Sequence, residues 1–129
     1  MRSEHISVVI KRDAADVYGF VVQPENLPRW AAGLAQSDVR RDGDVLIADS
    51  PMGEASFRFV PRNDLGVLDH DVTLPSGEVV TNPLRVLAHP DGAEVIFTLR
   101  QLSLTDAEFD RDAGMVRADL FRLRDLLEA

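Results

Sequence analysis

The 129-residue chain contains no cysteine. That absence removes disulfides, thiolate zinc sites, iron-sulfur clusters and cysteine nucleophiles together. Lysine is almost as scarce: Lys11 is the only one among 14 basic residues, and the arginines that make up the rest are scattered. No basic stretch gathers to grip a phosphate backbone, and a formal charge of -8 from 22 acidic residues repels nucleic acid and anionic membrane surfaces. No nucleic-acid partner is expected. Long apolar runs are missing too. The longest, Val17 to Val22, is broken by Tyr18 and Gly19 and falls far short of the roughly 20 residues of a membrane span. The opening Met1-Arg2-Ser3-Glu4-His5 leads into no apolar signal region, so the expected location is the cytoplasm. Glycine-rich phosphate loops, nucleophile elbows and triad spacings are absent. His5 and His89 lie far apart without the spacing of metal ligands, so neither a metal nor a cofactor is expected.

What remains, 45% apolar and 28% charged residues, is the balance of one ordinary globular domain spanning residues 1–129. Between Glu4 and Lys11 the residues alternate, with Ile6, Val8 and Ile10 on one face, which is the period of a strand. Asp13 then stands where a helix cap belongs, ahead of an apolar stripe of Val17, Phe20 and Val21. The prolines of Gln23-Pro24-Glu25-Asn26-Leu27-Pro28-Arg29-Trp30 suit a second short helix reached through a tight corner. After Gly33 six strands are predicted, at Ser37–Arg41, Val45–Asp49, Ala55–Arg62, Val67–Leu74, Val79–Ala88 and Ala93–Gln101. Loops this short join antiparallel neighbours, and the first strand completes the sheet at an edge. Thr105-Asp106-Ala107-Glu108 has capping-box spacing and opens a helix of about 23 residues, roughly 35 Å long. Its stripe of Phe109, Ala113, Val116, Leu120, Leu123 and Leu127 needs a sheet to lie on.

Ile6-Ser7-Val8-Val9-Ile10, Ala15-Asp16-Val17-Tyr18-Gly19-Phe20-Val21 and Pro24-Glu25-Asn26-Leu27-Pro28-Arg29-Trp30 look like the opening of the START-like superfamily, also labelled SRPBCC or polyketide cyclase/dehydrase. Gly66-Val67-Leu68-Asp69-His70-Asp71-Val72, Asn82-Pro83-Leu84-Arg85-Val86 and Glu94-Val95-Ile96-Phe97-Thr98-Leu99 resemble small bacterial members, so the likeness covers nearly the whole chain. The resemblance implies an α+β helix-grip fold: a curved antiparallel sheet of about seven strands, two short helices and one long carboxy-terminal helix. It also implies a hydrophobic cavity between sheet and helix, used across the superfamily for lipids, sterols or polyketides, and no shared catalytic motif.

The loop Pro75-Ser76-Gly77 suits a type I turn followed by a left-handed glycine, and from it the register is obtained by counting. Val72 faces Val80, His70 faces Asn82 and Leu68 faces Leu84, which sets two polar groups side by side on the apolar face. Asp69, Asp71, Thr73 and Thr81 take the solvated face. His70 is the best catalytic candidate, having an ordinary pKa near neutrality, and the plainer expectation is a hydrogen bond between His70 and Asn82. Pro83 lacks an N–H and suits a bulge that would turn Arg85 inward to bind a carboxylate or enolate, the equal alternative being an Arg85 on the outer face beside Asp69. Pro90-Asp91-Gly92, read as a second three-residue loop, pairs Arg85 with Phe97 and supports that turn.

The expected ligand contacts are His70, Asn82, Arg85, Trp30, Leu68, Val72, Val80, Phe97, Val116 and Leu120, with Tyr18 at the cavity mouth. Met52 reads as a loop methionine. The leading functional expectation is binding of a hydrophobic or amphipathic small molecule, ahead of a cyclase- or dehydratase-type enzyme using the same pocket. A third is a partner-binding domain whose Met115, Phe121 and Leu126 cover a homodimer contact.

Overall fold

A computed structural model describes residues 1–32, 39–50 and 53–129. The predicted strand start at Ser37 and the loop residue Met52 lie outside them. The α+β class holds: among the described residues an antiparallel arrangement of eight strands is accompanied by short helices after the first strand and a long helix following the last.

Strand β1 (Ser3–Ile10) buries Ile6, Val8 and Ile10, as its alternation requires. Helix α1 (Ala14–Val21) buries Val17 and Val21; Asp13 occupies the cap position without making a side-chain cap bond. A 3-10 turn at Pro24–Asn26 feeds α2 (Leu27–Trp30), which buries Leu27 and Trp30. Then come β2 (Arg40–Asp42), β3 (Val45–Ser50), β4 (Gly53–Phe59), β5 (His70–Thr73), β6 (Val79–Asn82), β7 (Leu84–His89) and β8 (Gly92–Arg100).

The strands form two sheets instead of the single sheet of about seven that the sequence suggests. One has the order β1-β8-β7 and the other β2-β3-β4-β5-β6. Pro83 is the reason: with no N–H to donate, it divides the predicted strand Val79–Ala88 into β6 and β7, which belong to different sheets. A bridge between Val67 and Arg85, with Leu68 N–H donating to Leu84 O at 2.8 Å and Val86 N–H to Gly66 O at 2.8 Å, ties the sheets across the break. Gly66 is obligatory here. Its φ is +73°, and a Cβ would lie 2.1 Å from Val86 O.

Pro83 does not reverse the facing of the residues after it. Asn82, Leu84 and Val86 are all buried, so the even-numbered residues keep the inner side and Arg85 points out. The second hairpin is also one residue shorter than predicted: His89 pairs with Gly92, placing Leu84 opposite Phe97 and Arg85 opposite Ile96. Both grounds for an inward Arg85 are thereby overturned.

Helix α3 (Asp106–Glu128) opens with the predicted capping box, Glu108 N–H donating to Thr105 Oγ1 and Thr105 N–H to Glu108 Oε1. Phe109, Ala113, Leu120, Leu123 and Leu127 are buried and Val116 is partly so. Burial of such side chains contributes of order 1.5–3 kcal/mol each. Met115 and Phe121 are exposed as expected, whereas Leu126 packs against the core. The helix lies closest to β1, and both its ends are fastened there. Arg2 Nη2 donates to Asp110 Oδ1 at 2.9 Å at one end. At the other, Lys11 N–H reaches Glu128 Oε2 at 2.9 Å and Arg12 Nη1 reaches Leu127 O at 2.9 Å.

Candidate functional site

The first hairpin sets the register that brings the candidate residues together. Gly77 takes φ +89°, Leu74 N–H donates to Glu78 O at 2.9 Å, and Val72 pairs with Val80 and His70 with Asn82, as the turn arithmetic requires. On the other side of β5, Phe59 pairs with His70 and Phe57 with Val72. The inner wall therefore carries Ala55, Phe57 and Phe59 from β4, His70 and Val72 from β5, and Val80 and Asn82 from β6. It is apolar except for one imidazole and one amide.

His70 is 1% exposed, and Asn82 is buried beside it. The expected hydrogen bond between them is not formed. Instead His70 Nδ1 lies 3.0 Å from Leu68 O. A carbonyl oxygen only accepts, so Nδ1 carries the proton and donates it. Burial pushes the pKa of His70 below its ordinary value, outweighing the Leu68 bond and the flanking Asp69 and Asp71, so the ring is neutral near pH 7. Nε2 is then a bare lone pair, and it is buried without a hydrogen-bond partner. The ring sits between Phe59, at a centroid distance of 5.1 Å, and Phe97, at 6.0 Å in an edge-on arrangement.

The other predicted contacts divide by place. Leu68, Val72, Phe97, Trp30 and Leu120 are buried in the same apolar cluster as His70's surroundings, and Val80 and Val116 are partly buried. Arg85 departs from the set: its Nε donates to Asp69 Oδ1 at 2.9 Å and its Nη2 to Asp69 Oδ2 at 2.7 Å on the outer face. That fork, with Leu84 N–H also donating to Asp69 Oδ1, holds the Asp69 carboxyl below the usual range. Asp71 is likewise outside, accepting from Thr81 Oγ1 at 2.6 Å.

Three features escaped the sequence reading. Phe59 flanks His70, which is visible only once the β4–β5 register is known. Trp30 Nε1 is a second buried polar atom with no partner. Asp119 is buried on α3, bound to Arg122 Nη1 at 2.9 Å, and the same guanidinium donates to Trp30 O at 3.1 Å, tying α3 to the end of α2.

A groove of about 690 Å³ lies elsewhere, between α1 residues such as Tyr18 and Gly19, the loop Arg62–Gly66 and Val86–Ala88. Of the residues expected around a ligand it includes Tyr18 alone. Its loop is braced from within: Asn63 donates to Pro61 O and Val67 O and accepts from Leu65 and Val67 N–H, while Tyr18 Oη accepts from Asn63 N–H at 3.1 Å. Tyr18 thus lines this groove and anchors its loop.

The fold is shared with several solved structures of very different sequence. The solution structure of the Aha1 dimer from Colwellia psychrerythraea superposes with a TM-score of 0.80 at 15% identity, over 99% of this chain and 97% of that one. XoxI from Bacillus cereus gives 0.76 at 15% identity, over 98% and 96%. DynU16, from the dynemicin biosynthetic locus, gives 0.78 at 11% identity over 98% of this chain and 47% of its own. At these identities the likeness shows the fold. No protein-family model matches the chain, and no curated protein does.

Proposed function

We propose that this protein is a START-like (SRPBCC) domain that holds a hydrophobic or amphipathic small molecule, lipid-, sterol- or polyketide-like, against the wall bearing His70 and Asn82. The observation that carries the reading is the unpartnered Nε2 of His70 inside an apolar cluster. Leaving a buried acceptor unsatisfied costs about 1–3 kcal/mol. A ligand whose polar group meets Nε2 would complete it. The fold likeness supports the same reading, since helix-grip domains enclose ligands between sheet and terminal helix.

Native mass spectrometry of the intact chain purified from its own host tests this. A copurified small molecule that is lost on denaturation is the expected result. Ligand-free protein that also fails to take up neutral hydrophobic probes would overturn it.

The same lone pair suits a general base, which favours a cyclase- or dehydratase-type enzyme as the second reading. His70→Gln separates the two: a carrier keeps most of its affinity, while an enzyme that moves a proton through His70 loses turnover by about 100-fold or more.

A further inference from the structure

We infer that the ligand's polar end is a neutral hydroxyl, phenolic or enolic, that donates its hydrogen to His70 Nε2, and that ligands ending in a carboxylate or in an ether or carbonyl oxygen alone are discriminated against. The inference rests on the ligand-binding reading above and adds the chemistry of the polar contact.

Three observations lead to it. The single proton of the imidazole is committed to Leu68 O at 3.0 Å, so the free nitrogen can accept a hydrogen bond and cannot donate one. An acceptor facing a carbonyl or ether oxygen is repelled; facing a hydroxyl, it is satisfied. The second observation is the charge of the wall. Phe57, Phe59, Val72, Val80 and Asn82, which share the inner face with His70, are all uncharged. The charged neighbours in sequence lie on the opposite face, where Arg85 is committed to Asp69. A carboxylate brought to this wall would be desolvated with no cation to meet it, which is costly in a low-dielectric site. The third is the pair of rings with centroids at 5.1 and 6.0 Å from that of the imidazole, Phe59 and Phe97, which make its immediate surroundings aromatic. An aromatic or polyene body suits those rings better than a flexible polar one.

Three probes with one apolar body decide the matter: 2-naphthol, 2-methoxynaphthalene and 2-naphthoate, titrated calorimetrically into the full chain. 2-Naphthol is expected to bind about tenfold tighter than the methyl ether, the ratio that one net hydrogen bond of ordinary strength produces, and the carboxylate is expected to bind weakest. In His70→Phe the preference for naphthol over its ether should vanish. Nitrogen NMR of isotope-labelled histidine supplies a readout in the unaltered protein, because the Nε2 resonance should move with naphthol and stay put with the ether. Equal affinity for naphthol and ether, an ether or naphthoate preference, or an unmoved Nε2 resonance overturns the inference and leaves ligand binding intact. Failure of all three probes to bind overturns the ligand-binding reading itself.

Discussion

Replacing His70 by phenylalanine should change the stability of the fold little near neutral pH and make it markedly more resistant to mild acid. The substitution removes two opposed contributions. Losing the Nδ1–H bond leaves the buried Leu68 O without that donor and costs about 1–3 kcal/mol, while removing the buried unpartnered Nε2 recovers about 1–3 kcal/mol. The net at about pH 7.5 is therefore close to zero, within about 2 kcal/mol in either direction. Acid adds a larger and more diagnostic difference. The pKa of His70 is lower in the folded protein than in the unfolded chain, where it is close to the ordinary 6.5, because burial disfavours the charged ring. As pH falls below the unfolded value, the unfolded state takes up a proton that the folded state does not, so stability falls, at up to about 1.4 kcal/mol per pH unit. By about pH 5.5 a ring that stays neutral in the fold costs the wild type up to about 1.4 kcal/mol, and the phenylalanine variant loses none of it. His5 and His89 are present in both proteins, and the lowered carboxyls of Asp69 and Glu108 act at lower pH, so the difference between the two proteins isolates His70. Urea unfolding at about pH 7.5 and pH 5.5, with unchanged m-values, measures it. Parallel losses in the two proteins would show that the ring is not held neutral, and the reasoning about Nε2 would fall with it.

Gly66→Ala should destabilise by at least about 2–3 kcal/mol, since it combines a φ of +73° with a Cβ 2.1 Å from Val86 O; a melting temperature within a degree or two of wild type would refute the close approach. Thr105→Ala breaks one half of the α3 capping box and should cost about 1 kcal/mol, read by chemical denaturation, with no loss if the terminus is held by other contacts alone.

Much of this geometry can be read from the residues because local chemistry dictates it. The His70–Asn82 pairing comes from Pro75-Ser76-Gly77, where a glycine at φ +89° closes a three-residue loop and leaves one register. The same arithmetic misleads at Pro90-Asp91-Gly92, because Gly92, at φ +140°, belongs to the strand and pairs with His89. One residue of slip changes every later partner along the strand. The division at Pro83 is foreshadowed by its missing N–H, yet which strands then share a sheet depends on pairings between segments far apart in sequence. The state of His70 is the least legible. Its nitrogen is engaged by the carbonyl of Leu68, two residues earlier, and no side-chain pattern reports where a backbone oxygen points.

The fastening of α3 to both ends of β1 carries a consequence for how the chain acquires its structure during synthesis. β1 precedes every other described element, and its partners β8 and α3 follow all the others. Until β8 and α3 have been made, that strand lacks its partners, and its apolar Ile6, Val8 and Ile10 wait uncovered. Closure of the longest loop in the molecule is thus a late event, entropically expensive and slow relative to the hairpins between β3 and β6. Those hairpins can form as they emerge; the terminal union of first strand and last helix then commits the domain, and chains cut short before it remain open and prone to aggregate.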